Sequence, residues 1–333
     1  MEVGSQKPLS IRVVSDGRIG MENQALGLAE ALQRLFASDI TVARVKWRKA
    51  FDKLPSALKA AWMLDPAGDD PFPKAGEAWP DVWIATGRAT LPLSLMAKRR
   101  SGGKTLVVQT QDPRWRTGDY DLVVAPQHDG IAGPNVLSIT GSPHRISPTR
   151  LAEGAAAFAD RLEPLPRPRL AVLVGGKSRA HDLPEAHAAE LADRIAAAVE
   201  KAGGSLMLTF SRRTPEAAKA AMTARLAHLP GLIWDGEGPN PYFAFLHLAD
   251  HILVTEDSAN MAAEAASTGK PVHILPMVAT KPADKFARLH ADLRDRGAAR
   301  PFDGTLDSWT YPPLAETDRA ARVILDRLAV RKR

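Results

Sequence analysis

Short runs of consecutive apolar, often β-branched residues alternate along this chain with longer Ala- and Leu-rich stretches whose apolar positions recur at helical spacing. The runs predict strands over 11–14, 82–85, 105–109 and 121–125, and the helical period predicts a helix over 21–35. Strands separated by helices pair in parallel and give an α/β fold. Residues 163–169 read Glu-Pro-Leu-Pro-Arg-Pro-Arg, and three prolines in seven positions cannot be helical, which makes this the expected linker. After it the pattern restarts, with strands over 170–174, 205–209, 251–254 and 272–275 and helices up to 202 and over 214–228 and 258–268. Residues 65–80, rich in Pro, Gly and Asp, read as an exposed loop, and 314–333 as a closing helix that packs back across the interface. The expected organisation is therefore an N-terminal Rossmann-like domain over 1–162, a linker over 163–169 and a second Rossmann-like domain over 170–313. Each half opens with strand, glycine-bearing loop and helix.

Composition narrows the classes. The 333 residues are 45% hydrophobic and 25% charged, an ordinary globular balance. With no cysteine, structural disulfides, thiolate zinc, iron–sulfur clusters and Cys nucleophiles are excluded. Lys and Arg (44) exceed Asp and Glu (38), and a net charge of +6 suits an anionic ligand at least as well as nucleic acid; no nucleic-acid partner is expected. No apolar run reaches the roughly 18 residues of a bilayer-spanning helix, and the first ten residues lack a secretory apolar core, so the expected compartment is cytoplasmic. The terminal Arg331-Lys332-Arg333, after an amphipathic stretch, leaves peripheral membrane contact open.

The sharper chemical signals lie in the second half. Gly175-Gly176-Lys177-Ser178 directly follows a predicted strand, where glycines let backbone amides face an anion; a tight βα turn explains them equally well, and the P-loop spacing is absent. In Thr209-Phe-Ser211-Arg212-Arg213-Thr214-Pro215, Thr214 is the expected N-cap and Pro215 the first helical residue. Two hydroxyls and two guanidinium groups there favour a phosphate, against the plainer reading of solvated arginines. In Thr255-Glu256-Asp257-Ser258-Ala-Asn260-Met261, Asp257 or Ser258 caps a helix that Gly269 ends. Glu264 on that helix can accept two hydrogen bonds from a ribose diol, or be one charge on a solvated face. Ligands of open parallel sheets bind beyond the carboxyl ends of the strands, so these loops should converge on a nucleotide site.

In the first half, Ser15-Asp16-Gly17-Arg18-Ile-Gly20-Met-Glu-Asn23-Gln24 precedes a helix without forming the dinucleotide fingerprint. Further predicted strand ends carry Arg88, Gln109, Arg114, His128 and Arg145. Single arginines are usually surface charges, but this series suggests an electropositive cleft for an acceptor or diphosphate. Asp119-Tyr120-Asp121 has the D-x-D form of some metal-dependent sugar transferases, yet it precedes a strand, and strand-start carboxylates are the simpler reading. The nine histidines show no H-E-x-x-H spacing, so no metal and no other cofactor is expected, and no G-x-S-x-G elbow supports a hydrolase.

The segments running from Ser15 to Leu28, from Thr255 to Met261 and from Thr268 to Val272 resemble the mitochondrial-fission Elm family, over nearly the whole chain. That family joins plant proteins tied to mitochondrial division and bacterial proteins, some assigned to sugar transfer in surface-polysaccharide synthesis. The Ala- and Arg-rich helices have a bacterial look. More loosely, the second half resembles the sugar-nucleotide domain of GT-B glycosyltransferases of the MurG type, in which a Glu after the Gly/Ser loop holds the ribose; Glu264 takes that place. The resemblance implies two Rossmann-like, doubly wound parallel-sheet domains facing a central cleft, a nucleotide-diphosphate sugar donor and a sugar or glycolipid acceptor. Transfer would be metal-independent and inverting, with Asp16, then His128, as the candidate base. Glu256 and Asp257 depart from the pattern, being acidic where a diphosphate would approach. Two alternatives are an interaction protein of the same fold that lacks the chemistry, linked to membrane or organelle division, and a nucleotide-sugar epimerase.

Overall fold

The computed structural model describes residues 7–282 and 284–331. Two compact units emerge, one holding the residues through Arg145 and those from Ala315 on, the other Ile146–Leu314. The first unit is built on six strands, β1 (Leu9–Ser15), β2 (Ser38–Arg44), β3 (Val82–Thr86), β4 (Leu106–Thr110), β5 (Leu122–Pro126) and β6 (Val136–Ile139). They pair in parallel throughout, in the order β2-β1-β3-β4-β5-β6. Helix α1 (Ile19–Leu35) crosses from β1 to β2, short α2 (Lys49–Asp52) follows β2, and α3 (Leu91–Arg100) joins β3 to β4. Every residue of β3, β4 and β5 is buried, as a parallel sheet covered on both faces requires. One face packs Val13, Ile84, Val108 and Val124 against Leu28 and Leu32 of α1. The other packs Trp83, Val107 and Val123 against Leu91 and Leu93.

In the second unit, α4 (Pro148–Ala156) and α5 (Ala159–Leu162) precede β7 (Arg169–Val174), β8 (His181–Asp182) and α6 (Glu185–Ala202). Then come β9 (Ser205–Phe210), α7 (Glu216–Leu226), β10 (Gly231–Trp234), α8 (Tyr242–Leu248), β11 (His251–Thr255) and α9 (Ala259–Ala266). The unit closes with β12 (Val272–Leu275), β13 (Val278–Ala279), α10 (Asp284–Asp295) and β14 (Ala299–Pro301). Six of these strands form a parallel sheet in the order β10-β9-β7-β11-β12-β14, and β8 and β13 make a separate antiparallel pair. Two doubly wound parallel sheets are the expected α/β, GT-B-like class.

The division of the chain differs from expectation. It falls between Arg145 and Ile146, ahead of the proline-rich segment. Ile146, Leu151 and Leu162 are buried with Ala244, Phe245 and Leu246 in the second core, so α4 and α5 belong to the second unit. The proline segment is itself held: the Arg169 amide donates to Asp250 at 2.7 Å, and its guanidinium to the Leu165 carbonyl at 3.2 Å. After the second unit, α11 (Glu316–Arg331) returns to the first, burying Ala320, Ala321, Ile324 and Leu328 in the core that α1 lines. Arg331 donates to the carbonyls of Gly103 and Thr105 and pairs with Asp121, so this member of the basic tail is tied to the fold, while Lys332 and Arg333 lie outside the described residues. Among the described residues no helix is long and apolar enough to cross a membrane.

The strands that the hydrophobic pattern did not predict include β2, β6, β10 and β14, the four sheet edges. Their positions are largely half-exposed, so they lack the uninterrupted apolar run that betrays a central strand.

Helix α1 is fixed by a close approach of backbones. A Cβ at Gly27 would lie 2.3 Å from the carbonyl carbon and oxygen of His144. Gly27→Ala should therefore destabilise the protein by about 1–3 kcal/mol although alanine favours helices, measured by urea unfolding. An unchanged midpoint would mean that the helix and the loop after β6 are not in contact.

Candidate functional site

From β7 the second sheet builds outward through β9 to β10, then resumes on the other side with β11. The order reverses between β7 and β11, and at such a reversal the loops leave in opposite directions and open a crevice. Asp257, its side chain wholly buried, sits in the loop after β11 at this point. It accepts hydrogen bonds from the Thr255 hydroxyl at 2.7 Å, the Gly176 amide at 3.0 Å and the Arg213 guanidinium at 2.8 Å. The Gly175 amide donates to the Thr255 hydroxyl at 2.7 Å, and the Thr214 hydroxyl donates to the Gly175 carbonyl. The Lys177 amide reaches the Arg213 carbonyl at 3.0 Å, and the Ser211 amide the Val174 carbonyl at 2.8 Å. Three strand-end loops are thus joined through one carboxylate.

This network redefines several expected site residues. The amides of Gly175, Gly176, Lys177 and Ser178 all donate within the protein, so none is open to a diphosphate. Asp257 raises no barrier to an anion of the kind expected, because Arg213, which was expected on phosphate, neutralises it. Thr214 is not the N-cap. Pro215 is, because the Thr214 hydroxyl turns back to the glycine loop. Thr209 is buried within β9. The Ser178 hydroxyl accepts from the amides of Ala180 and His181. Glu256 accepts from the Met277 amide at 2.6 Å. Arg212 is exposed and has no ion pair among the described residues.

Helix α9 offers what the glycine loop does not. Ser258 caps it, its hydroxyl accepting from the Met261 amide, while the first-turn amides of Ala259 and Asn260 have no intrahelical acceptor. Asn260, Met261 and Glu264 are half-buried, and Asn260 and Glu264 stand one turn apart on one face. The Tyr242 hydroxyl, from the start of α8, donates to Glu264. Burial pushes the Glu264 carboxyl up to about 7, with the Tyr242 hydrogen bond opposing that rise, and burial also lifts Tyr242 well above its ordinary value.

The first sheet reverses between β1 and β3. Asp16 after β1 pairs with Arg18 at 2.6 Å, and a Cβ at Gly87, after β3, would lie 3.6 Å from the Arg18 guanidinium and 3.9 Å from the Asp16 carboxylate. Glu22 accepts from the Ser15 hydroxyl at 2.6 Å and from both ends of the Arg44 guanidinium, and Arg44 holds it below the usual carboxylate range. Gln24 is buried and accepts from Gln111 at 2.9 Å. Gln111, Arg114 and Arg116 all hold left-handed backbone, with φ of 65°, 51° and 51°, a strain that clusters at functional loops. Gly17, Arg18 and Gly20 are exposed and Asn23 half-buried at the start of α1; Arg88 is exposed after β3.

Three expected cleft residues are placed otherwise. Gln109 is buried inside β4 and accepts from the Ser94 hydroxyl at 3.2 Å. Arg145 is clamped by Glu30 of α1 at 3.0 and 3.1 Å. His128 follows β5, with β3 and β4 between it and the strand that carries Asp16. Asp121 accepts from the Val107 amide at 2.8 Å and pairs with Lys98, and Asp119 pairs with Arg116, so the D-x-D segment anchors the start of β5. Sequence reasoning missed Glu22, Arg44, Gln111 and Tyr242, whose partners are distant in the chain.

The sequence profile of the family described as mitochondrial fission ELM1 matches residues 19–328. The chain belongs to that family. The Arabidopsis thaliana mitochondrial fission protein ELM1 is 32% identical over 279 residues, which cover 76% of this chain and 65% of that relative, so the chain spans just under two thirds of the plant protein's length. Among solved structures, UDP-GlcNAc 2-epimerase from Methanocaldococcus jannaschii aligns at a TM-score of 0.53 and 12% identity, over 96% of this chain and 100% of that one, a likeness of fold. Acinetobacter baumannii MurG aligns at a TM-score of 0.48 and 15% identity, over 97% of this chain and 94% of that one.

In this ELM1-family chain, a crowded glycine and an open one should respond differently to alanine. A Cβ at Gly175 would lie 2.0 Å from the Asp257 carboxylate, whereas Gly20, in the first turn of α1, has nothing within 4 Å. Gly175→Ala should cost about 1–3 kcal/mol in urea unfolding, and Gly20→Ala should be neutral or stabilise by up to about 1 kcal/mol. Equal effects would refute the Asp257 network.

Glu264 gives a pH signature. Folding raises its value from 4.5 to about 7, so the folded chain binds the extra proton between them. That stabilisation is complete below the unfolded value and is lost as pH rises through the folded one. Between pH 5 and 8 the protein should lose about 1–2 kcal/mol relative to Glu264→Gln, after discounting for partial solvent access. Parallel stability–pH curves for the two proteins would show that Glu264 titrates normally.

Proposed function

We propose that the protein is an inverting glycosyltransferase that moves a sugar from a nucleotide-diphosphate donor to an acceptor hydroxyl, in surface-polysaccharide synthesis. The observation that carries this reading is the inward turn of Asp257. With that charge met by Arg213, the start of α9 presents two amides at the sheet reversal, one turn from a carboxyl group. The donor diphosphate would lie on the Ala259 and Asn260 amides with Arg212 nearby, and Glu264 would take the ribose diol in exchange for its bond to Tyr242. The acceptor oxygen would attack the anomeric carbon as the bond to the diphosphate breaks, and its proton would pass to Asp16. The helix terminus and Arg212 would meet the departing charge without a metal ion. The engagement of Asp119 and Asp121 at the start of β5 supports that choice.

One observation favours the second reading, a scaffold without chemistry. Three arginines of the first unit that sit at or near strand ends are paired within it, Arg18 with Asp16, Arg44 with Glu22 and Arg145 with Glu30. Thermal unfolding with UDP, GDP, CMP and ADP separates the two. Saturation at 100 times Kd should add about 2.7 kcal/mol for the cognate nucleotide, and Glu264→Ala should abolish the gain. Asp16→Asn should keep the gain and lose transfer. Absence of any gain would leave the scaffold, and conversion of the sugar nucleotide with no acceptor present would indicate an epimerase.

A further inference from the structure

We infer that a pocket at the β11–β12–β14 edge of the second unit binds a sugar phosphate, a site independent of the nucleotide reading at α9. Glu256, Ile274 and Phe302, at or just beyond the strand ends, and His181, Phe286 and His290 line a cavity of about 350 Å³. His181 is 97% buried, being 3% exposed, yet its Nδ1 has no hydrogen-bond partner among the described residues, and the buried Nδ1 of His290 has none either. Leaving such atoms unmatched is unfavourable, which points to a ligand that supplies what they lack.

The tautomer of His290 says what that is. His290 Nε2 lies 2.9 Å from the Glu256 carbonyl and so carries its proton there, leaving a lone pair on Nδ1. Burial holds His290 below the ordinary imidazole value, which keeps that lone pair at neutral pH. His181 Nε2 lies 3.8 Å from the Glu256 carboxylate, so the two imidazoles flank one acidic side chain. A pocket with an imidazole acceptor, a carboxylate and two guanidinium groups, Arg294 and Arg300, walled by Phe286 and Phe302, calls for hydroxyl donors and a negative charge on a ring with apolar faces. A sugar phosphate has all three.

Further positive charge lies next door. Phe286 also lines a second cavity of about 570 Å³, whose charged lining residues are Arg179, Lys281, Lys285 and Arg288 against Asp284 alone. Ser178 lines it too, and its hydroxyl accepts from the His181 amide while its own amide donates to the His181 carbonyl at 2.9 Å. The Gly-Gly-Lys-Ser loop therefore does not cradle a phosphate with its amides; it holds the backbone of His181 beside a basin whose side chains would.

Calorimetry with glucose 1-phosphate, glucose and inorganic phosphate tests the pairing of the two cavities. Glucose 1-phosphate should bind about tenfold or more tightly than either half alone. Ala287, exposed on α10, lines the first cavity, so Ala287→Trp should fill it and weaken glucose 1-phosphate by about tenfold or more without altering the melting temperature. Lys281→Glu should remove the advantage of glucose 1-phosphate over glucose. No binding of glucose 1-phosphate, or binding that ignores Ala287→Trp, overturns the inference. The nucleotide reading is judged separately, because UDP should bind both the parent protein and Ala287→Trp alike. Competition between UDP-glucose and glucose 1-phosphate identifies the ligand as the glycosyl phosphate of a nucleotide sugar; simultaneous binding identifies a separate saccharide phosphate.

Discussion

The second unit depends on one buried charge. A carboxylate out of water is tolerable only when its lone pairs are filled and its charge met, and Asp257 meets both demands with a hydroxyl, a backbone amide and a guanidinium. These partners come from the ends of β11, β7 and β9, so satisfying Asp257 and positioning three loops are the same act. The glycines follow from it. Gly175 has no side chain because the carboxylate fills that space, and Gly176 has none because the backbone of Arg213 does.

The first unit reaches the same solution with different residues. Glu22 enters from the first turn of α1, takes the Ser15 hydroxyl at the end of β1, and is clasped by Arg44 at the end of β2. In both sheets the arrangement at the reversal is a carboxylate, a strand-end hydroxyl and an arginine from a neighbouring strand or its loop. This explains why counting arginines at strand ends overstates an electropositive surface. Arg44, Arg145 and Arg213 hold the fold together, whereas Arg88 and Arg212 stay exposed without ion pairs among the described residues.

What could be read from the chain follows the same division. Central strands announced themselves because burial on both faces forces a continuous apolar run, while edge strands such as β2 and β10 are half-exposed and blend into loops. The capping role of Ser258 was legible because it needs only the local chain, but the role of Thr214 was not, since its acceptor lies 39 positions away. The domain boundary was misplaced for a related reason. Three prolines mark where a helix cannot form, but only the packing of Leu151 and Leu162 reveals which core the preceding helices serve. His181 left no sequence signal at all, because its interest lies in an atom that no neighbour satisfies.

The neutralisation of Asp257 also alters what α9 can accept. Had that carboxylate faced outward, its charge would have opposed the positive end of the helix and cancelled its pull on an anion. Turned inward and paired, it no longer opposes the positive end of the helix. Glu264 lies deeper along the same helix, and its proton affinity, lifted to about 7 by burial, keeps much of its charge suppressed at neutral pH. A carboxyl group in that condition repels an approaching diphosphate weakly and can both donate to and accept from a diol. Asp257, which read in the sequence as an obstacle to an anionic ligand, is disarmed by pairing, and Glu264, which read as a ligand for a diol, has its charge suppressed by desolvation.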